Sequence, residues 1–276
     1  MELRPLGRSG LWVGRLALGT GTWGRSTDEF DARDQLAVFL DAGGTLVALC
    51  GGGFTNEFNA ANRDAAALYG AKSGDIHRDP KLTQILAKQD LPPSIPLDTA
   101  KWGEGERAVA AEAIAWKQEL APTDGKVLGT FSDGKPAVVE KRHGKGRAVL
   151  FAFLPGLAYL KSGLPLRPPD RGATNEAYAH FLPTDASPAL RRALVDAFLP
   201  EGFVRPVECG EPLVETTTID TENPARLAVP LMNYTGKPIR RLSVKVNGLS
   251  SAAGVRSVEQ GRLRAKFEGG AMIVTL

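Results

Sequence analysis

The stretch from Val127 to Phe153 leaves the chain little conformational choice. Apolar runs at Val127 to Phe131, Pro136 to Lys141 and Arg147 to Phe153 are separated by Ser132-Asp133-Gly134-Lys135 and by His143-Gly144-Lys145-Gly146. Asp-Gly and Gly-x-Gly between apolar runs provide the backbone freedom that tight turns need, so the pattern predicts a three-stranded meander. Pro155-Gly156 ends it. Ser187-Pro188 then reads as a helix N-cap followed by proline at the first helical position. Leu190, Leu194 and Phe198 recur at i, i+4 and i+8, and Pro200-Glu201-Gly202 closes the helix.

Ahead of the meander, Leu3–Leu6 and Leu11–Val13 flank Gly7-Arg8-Ser9-Gly10 as a short hairpin, and residues 15–21 read as a buried strand. Ser26 with Glu29 forms a capping box for a helix running to about Asp41, with Phe30, Ala37 and Leu40 near one face. Gly43-Gly44 stops that helix before a strand over Thr45–Leu49. Strand, helix, strand implies a parallel sheet or a barrel. A helical stretch from Ala60 to Tyr69 is closed by Gly70, and residues 72–107 read as loop broken by Pro92-Pro93 and Pro96. Residues 108–120 are apolar enough for either helix or strand. From Val204 onward, seven short runs alternate with turn signals such as Asn247-Gly248 and Gly269-Gly270, predicting an antiparallel, sandwich-like module. The final run stops at Thr275-Leu276, which reads as a truncated strand.

Composition narrows the function classes. With 276 residues, net charge +3 and 43% hydrophobic residues, the chain can bury a core and is not strongly basic, so nucleic acid is not an expected partner. No apolar stretch is long enough to span a membrane, and Met1-Glu2-Leu3-Arg4 does not begin a secretory signal, so the expected location is cytoplasmic. Cys50 and Cys209 lie too far apart in sequence for a disulfide scaffold. His77, His143 and His180 show no helical ligand spacing, and no metal is expected. Between Arg226 and Leu276 nine Lys/Arg face two Asp/Glu, a local +7 that reads first as a solvated sheet face and second as a surface for an anionic partner.

Chemical candidates are few. Ala48-Leu49-Cys50-Gly51-Gly52 fits a small-x-nucleophile-x-Gly elbow, yet no His-x-Glu follows to supply a base; Cys50 reads first as a small buried thiol. Gly51–Gly53 lacks the lysine of a phosphate-binding loop. Glu57 with Asp124 or Asp133 is the one conceivable carboxylate pair, but both aspartates occupy turn sequences. Trp12, Trp23, Trp102 and Trp116 are scattered rather than arrayed as a sugar platform, and Asn233-Tyr-Thr235 is a chance glycosylation match.

Two resemblances meet in this chain. Leu6-Gly-Arg-Ser-Gly-Leu-Trp-Val13, Leu18-Gly-Thr20 and Asp41-Ala-Gly43 resemble the amino terminus of the aldo/keto reductases, NADPH-dependent (β/α)₈ barrels. Aligned on Asp41-Ala-Gly43, the positions of that family's catalytic aspartate and tyrosine are Ala48 and Gly53, with Phe54 next, so the resemblance stops at about residue 48 and implies an inactive fragment. Ala42-Gly-Gly-Thr-Leu-Val47, Asn56-Glu57, Phe131-Ser-Asp-Gly-Lys-Pro-Ala-Val-Val139, Gly144-Lys-Gly-Arg-Ala-Val-Leu150 and Phe153-Leu-Pro-Gly156 resemble glutamine-amidotransferase-like domains of the β-galactosidase trimerisation type. That resemblance implies an incomplete flavodoxin-like, class I glutamine-amidotransferase-like three-layer α/β domain.

The expected organisation is therefore a hybrid joined at residues 42–47. A reductase-like segment spans 1–48, an amidotransferase-like α/β domain 42–200 and a β-rich module 203–276. The expected role is a non-catalytic structural or assembly domain of a carbohydrate-active protein. Its expected partner is itself or a carbohydrate-active protein, with no catalytic residue and no cofactor. The alternatives are an aldo/keto reductase relative using NADP, and a cysteine-dependent amidotransferase or hydrolase built on Cys50.

Overall fold

In the computed structural model the chain is a mixed α/β protein rich in sheet. The structure describes residues 3–5, 12–14, 28–78 apart from 56, 57 and 59, 96–163, 187–199, 203–223 and 226–276. It divides into two compact units, residues 16–200 and residues 1–15 with 201–276.

The larger unit is organised around a six-stranded sheet. Its strands are β3 (Thr45–Ala48), β5 (Asp98–Trp102), β6 (Val109–Ala113), β8 (Lys126–Phe131), β9 (Pro136–His143) and β10 (Gly146–Phe151). They lie in the order β3-β10-β9-β8-β5-β6. The meander forms as the turn chemistry requires, with Gly134 and Gly144 both at positive φ. β3 runs parallel to β10, from Thr45 beside Arg147 to Ala48 beside Leu150. The other four ladders are antiparallel. A flavodoxin-like sheet is essentially parallel, so only one of the five ladders here has that character.

β10 is the centre of the unit. Residues 148–153 are buried on both faces, as expected of a run without polar alternation. Phe151 and Phe153 meet Trp102 at ring-centroid distances of 5.8 Å, and Phe131 meets Phe153 at 6.0 Å, all edge-on. Edge-to-face contacts place positive ring edges on negative faces and add to the burial of these large side chains.

Among the described residues four helices pack on this sheet: α1 (Glu29–Asp41), α2 (Arg63–Tyr69), α3 (Pro155–Gly163) and α4 (Pro188–Phe198). α4 touches both outer strands, β3 and β6, so the sheet curls into a half-barrel around it. Its N-cap is Ser187, whose hydroxyl accepts from Leu190 N–H at 3.2 Å. At its other end the Arg147 guanidinium donates to the carbonyls of Asp196 (3.0 Å) and Leu199 (2.9 Å) and is held by Glu140 at 2.9 Å. A cation among the last carbonyls satisfies unpaired acceptors and complements the helix dipole.

Several expectations need correction. Asp28, not Ser26, caps α1, accepting from Asp31 N–H at 2.9 Å; Ser26 lies outside the described residues. The covered side of α1 carries Leu36, Phe39 and Leu40, whereas Phe30 is 74% exposed and Ala37 is exposed. Phe198 of α4 is likewise 58% exposed, leaving Leu190, Ala193, Leu194 and Ala197 to make the contact. Residues 72–107 are not all loop. They hold β5 and most of β4 (Ala71–Arg78), which pairs antiparallel with β7 (Trp116–Pro122). Residues 108–120 resolve into strands β6 and β7. The strand expected over residues 15–21 lies outside the described residues.

In the second unit β1 (Leu3–Pro5) pairs antiparallel with β2 (Trp12–Gly14), as its sequence predicts. The tail carries a four-stranded antiparallel sheet in the order β11-β16-β20-β19. These are β11 (Val207–Cys209), β16 (Ser243–Asn247), β20 (Ala271–Thr275) and β19 (Ala265–Glu268). Three further antiparallel pairs complete it. They are β12 (Val214–Thr216) with β15 (Leu231–Asn233), β13 (Ile219–Asp220) with β14 (Leu227–Ala228), and β17 (Val255–Ser257) with β18 (Gly261–Leu263). Val207, Val244, Val246, Met272 and Val274 form its core from alternate positions along their strands.

Candidate functional site

β3 delivers the chain to the glycine-rich turn where the sequence places its elbow. Cys50 is half-buried there. Burial pushes its thiol up to about 11, against the weaker opposing pull of the Arg78 guanidinium. Arg78 itself lies over the Trp116 ring at 4.3 Å. In an elbow nucleophile site, the backbone N–H of the residue after the nucleophile stabilises the oxyanion. Here that residue is Gly51, and its N–H donates to Gln118 Oε1 at 2.9 Å. Gln118 is fully buried, and its Nε2 donates to Ser73 Oγ at 2.8 Å. The amide is therefore fixed between β4 and the turn, filling the position where an acyl oxygen would have to sit. A thiol held almost wholly protonated near neutral pH is a poor nucleophile.

The histidines have other partners. His77 Nε2 lies 3.1 Å from Glu119 Oε1, and His143 Nε2 lies 2.7 Å from the Leu68 carbonyl, at the end of α2. His180 lies outside the described residues. Both candidate aspartates are engaged by lysines. Asp124 pairs with Lys141 at 2.8 Å, Asp133 pairs with Lys117 at 2.7 Å, and Glu57 lies outside the described residues. Ala48 ends β3 and Gly53 sits in the turn at φ 78°, neither with a side chain that moves a proton. Trp102 is core, while Trp116 backs Arg78. The Asn233 amide is spent inside its own turn, accepting from Thr235 N–H at 2.9 Å and donating to the Lys237 carbonyl at 2.8 Å. Among the described residues no group of three or more His, Cys, Asp or Glu is arranged to hold a metal.

The most concentrated polar chemistry was not visible in the sequence. Lys117 on β7 is buried and donates to Asp98 at 2.6 Å and to Asp133 at 2.7 Å, with its ammonium 4.6 Å from the Phe131 ring centroid. Asp98 also accepts from the N–H groups of Thr99 (2.7 Å) and Ser132 (3.1 Å) and from the Ser132 hydroxyl. Burial opposes ionisation of Asp98, but these bonds win and hold the carboxyl down at about 2. Burial likewise opposes the Lys117 charge, and its bonds to Asp133 and Asp98 raise its pKa regardless. Two positions along β7 from Lys117, Glu119 binds both Lys135 and His77. Lys117, Gln118 and Glu119 therefore stitch β7 to β5, to the β8–β9 turn, to the elbow and to β4. Both members of the buried pair remain charged near neutrality, which is the state of a structural ion cluster rather than of a general acid or base.

No family model matches the chain, and no curated protein matches it. Solved structures with partial likeness include glycoside hydrolases. A catalytic mutant of Gan42B, a GH42 β-galactosidase from G. stearothermophilus, is 17% identical over 90% of this chain and 30% of its own, with a TM-score of 0.45. The β-galactosidase from Rahnella sp. R3 is 18% identical over 88% of this chain and 30% of its own, with a TM-score of 0.45. The α-L-fucosidase isoenzyme 2 from Paenibacillus thiaminolyticus is 16% identical over 88% and 36%, with a TM-score of 0.49. The chain spans about a third of the length of these proteins. Among the described residues, no helix is long and apolar enough to cross a membrane.

Proposed function

We propose that this chain is a non-catalytic structural or assembly domain of a carbohydrate-active protein. The observation that carries the non-catalytic half is the bond from Gly51 N–H to the buried Gln118 side chain. It occupies the donor that acyl chemistry at Cys50 would need, and replacing it with substrate would leave the Gln118 amide oxygen buried and unpaired. The carbohydrate half rests on the motif resemblance over residues 42–156, and self-association is its natural extension.

The test is the pH dependence of alkylation at Cys50. Iodoacetamide labelling of the native chain, corrected with Cys50→Ala for labelling of Cys209, should show Cys50 reacting slower at pH 7 than in urea, with the rate rising toward about pH 11. An inflection below about pH 8, with glutamine-amide hydrolysis lost in Cys50→Ala, overturns the proposal.

A further inference from the structure

Among the described residues, the β17–β18 pair and the segment leading from it into β19 carry exposed cations with no carboxylate partner. Arg256 on β17 stands directly opposite Arg262 on β18, and both are exposed. Like charges in opposed register destabilise a ladder unless something else neutralises them. Along residues 261–268 the side chains of Arg262, Arg264 and Lys266 are exposed, while Leu263 and Ala265 pack inward on the valine core. Three cations thus project on one side, about 7 Å apart along the extended chain. Across the sheet the same row continues through Ile273 to Lys245. Lys245 is paired with Glu208 at 3.3 Å. Among the described residues Arg256, Arg262, Arg264 and Lys266 have no carboxylate partner, and Glu268 is the one other acid at the same alternation.

We infer that this face binds an acidic polysaccharide, a glycan bearing carboxylate or sulfate groups at regular intervals. Arginine forks pair with such groups bidentately, and a linear array of cations suits a linear polyanion. Ser243 and Thr275, opposed in register on the same face, supply hydroxyls for the sugar. No aromatic ring lies on this outward row to stack a nucleic acid base. Ile273, half-buried between Lys266 and Lys245, is the large apolar side chain on this row, short of the aromatic cluster that centres a protein interface. The inference concerns the tail module and stands apart from the reading of Cys50.

Binding of the full chain to polygalacturonate and to dextran sulfate, with neutral dextran as the control, tests it. At about 50 mM NaCl both polyanions should bind saturably, weaken steeply at about 200 mM, and leave neutral dextran unbound. R256E/R264E should weaken binding at least about tenfold while Tm holds or rises, because the new glutamates face Arg262 across and along the strand. K72E/K126E, the same charge change on exposed sites of the other unit, should alter affinity less than about twofold. Absence of saturable polyanion binding, equal losses in the two variants, or tighter binding to a DNA oligonucleotide or to phosphatidylserine vesicles than to either glycan overturns the inference.

Discussion

Asp98→Asn tests the ion cluster at its most buried member. The ordinary carboxyl value of 3.8 falls to about 2 in the fold, because burial is outweighed by bonds from Lys117, Ser132 and Thr99. At about 1.4 kcal/mol per pH unit, that depression holds on the order of 2 kcal/mol of stability at neutral pH. A depressed folded value means the contribution is complete above the unfolded value and disappears as pH falls from about 5 to below 2. Asparagine keeps the shape and an acceptor oxygen for the two N–H groups but removes the charge facing Lys117. Asp133 stays 2.7 Å from that ammonium, so the lysine is not stranded and the loss should remain near 2–3 kcal/mol rather than higher. Lys117 acts in the opposite pH range. Its raised value gives stability that is complete below its ordinary 10.5 and is lost only in strong alkali. Urea unfolding followed by tryptophan fluorescence should separate native and variant proteins by that amount at pH 7, with the gap closing to under about 1 kcal/mol near pH 2. A gap of equal size at both pH values, or none at pH 7, refutes the reasoning.

Two further perturbations probe how the half-barrel holds together. Arg147→Met removes the cation capping α4 and the closer cation of the nearly buried Glu140, which keeps Arg142 at 3.6 Å, at a cost of about 2 kcal/mol; hydrogen exchange should quicken first in the last turn of α4. Adding Glu140→Leu should recover part of that loss, and failure to recover any would show that the capping bonds, not the weakened ion pair, dominate. In Gly129→Ala the new methyl would sit 2.4 Å from Trp102 Cβ and 2.6 Å from the Lys101 carbonyl oxygen, so β8 must move away from β5. A loss of about 2–4 kcal/mol in urea, with a changed Trp102 emission, is expected.

The parts legible in the sequence were those settled locally. The β8–β10 meander is specified by the turns at Asp133-Gly134 and Gly144, and the start of α4 by Ser187-Pro188. β4 was illegible because Ala-Lys-Ser-Gly-Asp-Ile-His-Arg has no alternation to read. Most of it is exposed, and it is a strand because β7 pairs with it. α1 was legible as a helix but not in its orientation. Leu40 is buried as its spacing predicts, yet Leu36 and Phe39 share the covered side with it instead of Phe30 and Ala37, a choice no local signal records.

The same distinction separates what could be known of the site. The elbow sequence at Cys50 is readable because it is contiguous. The side chain that occupies the neighbouring Gly51 N–H comes from Gln118, 67 positions away, in a segment whose secondary structure the sequence left open. Asp98, Lys117 and Asp133 are likewise drawn together from separate segments, and each alone resembles an ordinary surface charge. A motif records the groups that chemistry would use, whereas competence depends on whether distant side chains leave those groups free. In this fold the strand that could have exposed the turn instead hydrogen-bonds it shut. Gln118→Ala is therefore the sequence change most able to reopen Gly51 N–H, with His77 and His143 still bonded to Glu119 and to the Leu68 carbonyl.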